Sequence, residues 1–463
     1  MRDFSHHRRS RAPRLLLLLL GLAGFALLAV GGLRTGPAPR IEIVPDGPAI
    51  GRRTPLTVVV EEPVRGLGGI TVELVQGERR YPLASERFTP RAVWAPWAER
   101  TPRIELSLAA GRELQGDLAA GEATVRVTAE RAPAWFRQPP AAVAEVTLPV
   151  RLTPPALQLL STQTYVAQGG CEAVVYRTGP TAAHSGVVAG AWFFPGYPLP
   201  GGEPGERFAL FAAPYDLDNP EAIRLVASDE VGNEARVAFV DRFTPRRVPT
   251  GEIRLDDRFL AKVVPEILAA TPALTDRGEP LANYLAINRE LRAANATELT
   301  ALAARSREEF LWREPFLALP GGKVMSPFAE RRRYLYAGRE VDEQVHLGYD
   351  LASVRRAPVP AANRGVVLLA RYLGIYGNTV VVDHGYGLMS LYSHLSAIAV
   401  DEGETIERGA ILGTTGETGL AGGDHLHFSF LLAGLPVDPV EWWDPAWIRN
   451  RIGRKLGAAL PAG

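Results

Sequence analysis

Residues Gly422–Leu432 read GGDHLHFSFLL. After the two glycines, polar and apolar residues alternate, and a period of two is the pattern of a half-buried strand. In a strand His425, His427 and Ser429 share one face, while Leu426, Phe428 and Phe430 share the other. The second face reads as core. The first carries two groups that bind metal or move protons near neutral pH. Taken alone, an HxH pair reads more simply as two solvent-facing histidines on an edge strand. The rest of the chain decides between these.

The chain has 463 residues, enough for about three domains. Its hydrophobic fraction of 46% and charged fraction of 22% are those of a globular protein. Formal net charge is zero, so nothing points to a nucleic-acid partner. Cys171 is the single cysteine, which excludes an intrachain disulfide and reads as a free buried thiol.

Residues 1–14 hold five arginines and one acid, and 15–33 are nineteen residues without charge. That length suits a transmembrane anchor, and the preceding basic residues place 1–14 in the cytoplasm as a tail. A cleaved signal peptide is the competing reading. The apolar run exceeds the usual length for one, and no clean A-x-A site precedes Arg34. The expected location is a single pass of the inner membrane, with the remainder in the periplasm or cell-wall space. His6 and His7 fall in the tail and are not expected to be ligands.

The ectodomain reads as mostly β. From 40 to 152, runs such as PLTVVVEE and GEATVRVTAE alternate between Gly and Pro punctuation, the pattern of an immunoglobulin-like β-sandwich. A second sandwich is expected over 153–245, closing on two strands around DEVGN. Neither block carries recognisable chemistry, so both read as spacers or contact modules for protein partners. His184 is isolated and reads as a loop or surface residue.

A helical segment is expected over 250–314. LDDRFLAKVVPEILAA has an Asp cap and apolar residues at helical spacing, with Pro265 expected to kink or split it. A second helix is expected to carry Tyr284, Ile287, Leu291, Leu299, Leu302 and Phe310 near a 3.6 period. Strands return over 320–445 as an antiparallel β domain, and 446–463 reads as a tail.

Five of the eight histidines lie in this last domain: His346, His384, His394, His425 and His427. His346 and Asp350 are four apart and can share a strand face, with Gly348 arguing against helix. Alone they read as a surface ion pair. With a further histidine they make an N, N, O set, which suits Zn²⁺ with a fourth position left for water.

From about Lys323 to Asp444 the chain resembles the lysostaphin-type, or LytM-like, zinc endopeptidases that cut peptidoglycan cross-bridges. The resemblance is carried by SPF at Ser326–Phe328, HLGYD at His346–Asp350, GNTVVVDHGYG at Gly377–Gly387 and LYSHLS at Leu391–Ser396. It continues through EGETIERGAILGTTGETG at Glu402–Gly419, HLHF at His425–Phe428 and DP at Asp438–Pro439. It implies that His346, Asp350 and His427 bind zinc, that His394 and His425 act in catalysis, and that His384 is structural. It implies hydrolysis of cross-linking peptides of peptidoglycan by a zinc-activated water, with no other cofactor. A catalytically silent scaffold that activates other wall hydrolases is the alternative, and the complete set of five polar residues disfavours it. Two positions depart from the pattern: Ala329 follows SPF where Gly is frequent, and Ser429 follows HLHF where Glu is frequent. No HExxH motif is present, so a thermolysin-type arrangement does not apply.

Overall fold

The structure, a computed structural model, describes residues 12–33, 37–92, 97–134 and 138–461. Most of the tail, 1–11, with His6 and His7, lies outside the described residues. The apolar run is helical within Ala12–Leu33. Among the described residues, however, no helix is long and apolar enough to cross a membrane. The expected anchor at 15–33 therefore has no support from the fold.

The chain divides into two compact units, 1–154 with 228–233, and 155–227 with 234–463. The first holds a three-stranded antiparallel sheet and a four-stranded antiparallel sheet. Alternate residues Leu56, Val58 and Val60 of one sheet form a core with Ile70, Val72, Leu74, Val125 and Val127 of the other. This is the outcome that the alternating patterning predicts.

The second unit joins most of the expected second sandwich to the C-terminal region. Its N-terminal part has two four-stranded sheets, and their apolar faces run into the core of the C-terminal domain. Phe208 lies 5.4 Å from Phe310 and 4.9 Å from Tyr386, ring to ring. Lys455 pairs with the fully buried Glu172 at 3.0 Å. Residues 155–227 and 234–245 are thus part of one hydrophobic body with the C-terminal domain, where a spacer or contact module was expected over 153–245. Cys171 is buried and free.

The C-terminal domain is built on an eight-stranded antiparallel sheet. Its central strands, Leu388–Leu395 and Leu426–Leu432, are buried at every residue, so both faces are covered. Tyr392, Phe428 and Phe430 pack on one face. Met389, Leu391 and Leu431 meet Leu299 and Leu302 of the helical segment on the other.

The helical segment departs from expectation in two ways. Asp256 caps the helix Asp257–Ala270 by accepting from the Phe259 N–H at 2.8 Å, and Pro265 sits inside it without splitting it. Pro265 and Ala261 are on the exposed face, so the carbonyl that loses its N–H partner is free to face water. The second helix runs Pro280–Ala286, a π turn Ile287–Leu291, then Arg292–Ala301. Phe310 lies beyond it, in a loop. The segment 446–463, expected as a tail, carries helical turns from Pro445 to Ala459. Ile448, Ile452 and Leu456 recur every four residues there and bury one face in the core.

Candidate metal centre

Tertiary pairing brings the five polar residues together. Asp350 on Tyr349–Ala352 stands directly opposite His427 on Leu426–Leu432. His346 ends the strand Arg339–His346, and Leu347–Gly348 turn the chain before Asp350, so the two do not share one strand. The turn needs Gly348: a Cβ there would lie 2.4 Å from Ser429 Oγ and 2.6 Å from His427 Cε1. His425 sits just before its strand, and His427 with Ser429 faces the centre from within it.

His394 is next to Ser393, which pairs across the sheet with His427. Strict alternation would send the His394 ring to the opposite face. Its φ of 62°, in the left-handed region, breaks the alternation. The ring then lies 4.8 Å from that of His425 and 5.8 Å from that of His427.

His346 Nε2, Asp350 Oδ1 and His427 Nδ1 form a triangle with 3.0 Å sides. Their other hydrogen bonds say where the protons are. His346 Nδ1 faces the Pro327 carbonyl at 3.0 Å, which only accepts, so Nδ1 carries the hydrogen. Ser429 donates its hydroxyl to the Leu347 carbonyl at 2.7 Å, and so accepts from His427 Nε2–H at 3.1 Å. Both rings therefore turn a lone pair toward Asp350 Oδ1. Three acceptors converging on one point repel one another unless a cation joins them. Donors around a tetrahedral Zn²⁺ at about 2.0–2.1 Å stand about 3.3 Å apart, close to this triangle. These are the three residues that the described part of the chain groups as able to hold a metal ion.

Arg332, not anticipated from sequence, donates to Asp350 Oδ2 at 2.7 Å and to Glu330 at 2.8 Å. It occupies one carboxylate oxygen and leaves Oδ1 to the triangle. The only hint in the sequence is the alternation of Glu330 and Arg332 along one strand. Burial brings His427 down to about 4 against the pull of Asp350. Burial, then His425 and His427, hold His394 well below the usual histidine value. Burial lowers His425 too, but Asp350, 3.5 Å from its Nε2, outweighs it and raises the ring. His394 Nδ1 donates to the Thr418 carbonyl and His425 Nδ1 to that of Gly423, each at 2.8 Å, so both present Nε2. His384 stands apart, fully buried between the Arg364 carbonyl and Ser390 Oγ.

The sequence profile of peptidase family M23 matches residues 344–439. The chain is 37% identical over 120 residues to the DD-carboxypeptidase/endopeptidase Mpg of Neisseria meningitidis serogroup B, covering 26% of each chain. It is 31% identical over 166 residues to the peptidoglycan DD-endopeptidase ShyA of Vibrio cholerae, covering 36% of each. It therefore spans about a quarter to a third of the length of these relatives. Among solved structures, the catalytic domain of lysostaphin from Staphylococcus simulans matches with 21% identity and a TM-score of 0.21, over 31% of this chain and 96% of that one. With the triangle of donors inside the matched range, the C-terminal region of this chain is a peptidase family M23 metallopeptidase domain.

Proposed function

We propose that the protein is a zinc endopeptidase that hydrolyses peptide cross-links of peptidoglycan outside the cytoplasm. The observation that carries it is the convergence of two imidazole lone pairs and one carboxylate oxygen, each fixed by a hydrogen bond from behind. Similarity to a DD-carboxypeptidase/endopeptidase and a peptidoglycan DD-endopeptidase supports the substrate class.

His346, Asp350 and His427 are the zinc ligands in this reading. Zn²⁺ held there supplies Lewis-acid activation of water and of the scissile carbonyl. The chain's own residues do the rest. Pro327 and Ser429 keep both histidine ligands in the tautomer that offers a lone pair. Arg332 keeps Asp350 in place and balances its charge. His394 and His425, their Nδ1 atoms tied to backbone carbonyls, can take a proton at Nε2 and return it to the leaving amine. Either can donate to a developing oxyanion when protonated. Location rests on sequence alone: the basic 1–14 and the apolar 15–33 favour an inner-membrane anchor with the catalytic domain in the periplasm. The 40–152 sandwich is the place for protein partners.

The test is zinc content of the full chain together with release of soluble fragments from purified peptidoglycan. The full chain is required because Phe208 and Trp442 belong to one core. About one zinc per chain, with zinc and release both lost in His427→Ala, is the expected result. A wild type that binds no zinc, or binds it and releases nothing, would sink the proposal.

A further inference from the structure

The metal centre opens into a cavity of about 350 Å³, within the size range of small-ligand pockets. Part of its lining comes from the family domain. Other lining residues lie outside the matched range, among them Arg254, Asp256, Phe259, Tyr284 and Arg292. Two guanidiniums there are unaccounted for by the metal centre. Arg332, the third in the cavity, is taken by Asp350 and Glu330.

Arg292 is half-buried and pairs with no carboxylate among the described residues. Its side chain is nonetheless held. Nε donates to the Asn288 carbonyl at 3.1 Å and one Nη to Asn288 Oδ1 at 2.6 Å. Asn288 is itself tied to Asp342 at 2.8 Å. The remaining N–H groups of Arg292 are left for the cavity. The charge of Arg292 acts on Tyr284 and Tyr376, and the Tyr376 ring lies 5.6 Å from that of His427. Arg254 is exposed, lines the same cavity and also lacks an acidic partner among the described residues. Asp256, which lines the cavity too, is engaged in capping its helix. A held guanidinium that faces a cavity without a counter-ion is built to take a planar anion end-on.

We infer that Arg292, supported by Arg254, is a subsite for a free carboxylate of the substrate peptide, beside the bond presented to the metal centre. The inference rests on the hydrolase reading above and makes the enzyme selective for a peptide acid over its carboxamide.

The experiment uses the full chain and two cross-linked peptides that differ only in having a free carboxylate or a carboxamide next to the scissile bond. Wild type is expected to favour the acid about 10- to 100-fold in kcat/KM, mostly through KM. Arg292→Gln is expected to lose that preference by raising KM for the acid far more than for the amide, and Arg292→Lys to recover part of it. Equal loss on both peptides, or no preference in wild type, overturns the inference. Titration of the two peptides by calorimetry, without turnover, separates this from the broader reading. If neither peptide is cleaved, the hydrolase proposal fails, and the titration still decides the subsite by whether the acid binds more tightly and whether Arg292→Gln removes the difference. Arg254→Gln is run beside it as a variant whose side chain holds no other residue, with a smaller loss expected in the same direction; no loss in either variant also overturns the inference.

Discussion

Ser429→Ala tests the proton assignment at the metal centre. Ser429 is buried, and its hydroxyl joins the Leu347 carbonyl to His427 Nε2–H. Without it, the His427 proton has no acceptor at Nε2. It moves to Nδ1, where Asp350 Oδ1 waits at 3.0 Å. To ligate a metal the ring must then put the proton back at Nε2 as a buried, unpaired donor. Such a group costs about 1–3 kcal/mol, which is about 5- to 150-fold in affinity. Loss of partners behind metal-bound histidines typically costs 10- to 100-fold, which agrees. The assay is competition for Zn²⁺ against a chromogenic chelator at pH 7.5. Ser390→Ala is the control, because Ser390 is equally buried in the same sheet but serves His384. Zinc affinity in Ser429→Ala within twofold of wild type, or an equal loss in Ser390→Ala, would refute the assignment.

Two other outcomes follow from buried ionisable groups. Burial depresses His384 to about 4, below its unfolded value near 6.5, so the unfolded state binds more protons between those values. Its contribution is complete above pH 6.5 and is lost as pH falls toward 4, on the order of 3 kcal/mol; urea melts of wild type and His384→Gln at pH 7.5 and pH 4.5 should converge by that amount. Lys455→Met should cost about 3 kcal/mol, because it leaves the fully buried Glu172 with the Ala173 N–H at 2.9 Å and, as its remaining cationic partner among the described residues, Arg451 at 3.9 Å. A melting temperature within a degree of wild type would show that the Lys455–Glu172 pair does not hold the C-terminal helix down.

Much of the fold is local pattern, and local pattern survives in sequence. Alternation along PLTVVVEE and GEATVRVTAE requires sheets with one buried face, because a one-residue slip would expose Val58, Val60, Val125 and Val127. Asp256 announces its helix because its carboxylate meets an N–H three residues on. The motifs containing His346, Asp350, His394, His425 and His427 are recognisable because each is short and contiguous.

What remained hidden depends on groups far apart in the chain. Pro265 reads as a kink or a split in its helix, and only its exposed position in the fold shows why the helix continues through it. Residues 446–463 look like a tail because their apolar face is read without the core it enters. The 153–245 block looks like a spacer for the same reason, since an apolar residue does not say which domain will cover it. At the centre, sequence supplied the residue types and tertiary structure decided their proton state. Hydrogen bonds to the carbonyl of Pro327 and the hydroxyl of Ser429 aim the lone pairs, and strand pairing across about 80 residues sets Asp350 opposite His427. Arg332 and Arg292 reach that site only through folding, because a guanidinium's role is set by the partner that the fold gives or denies it.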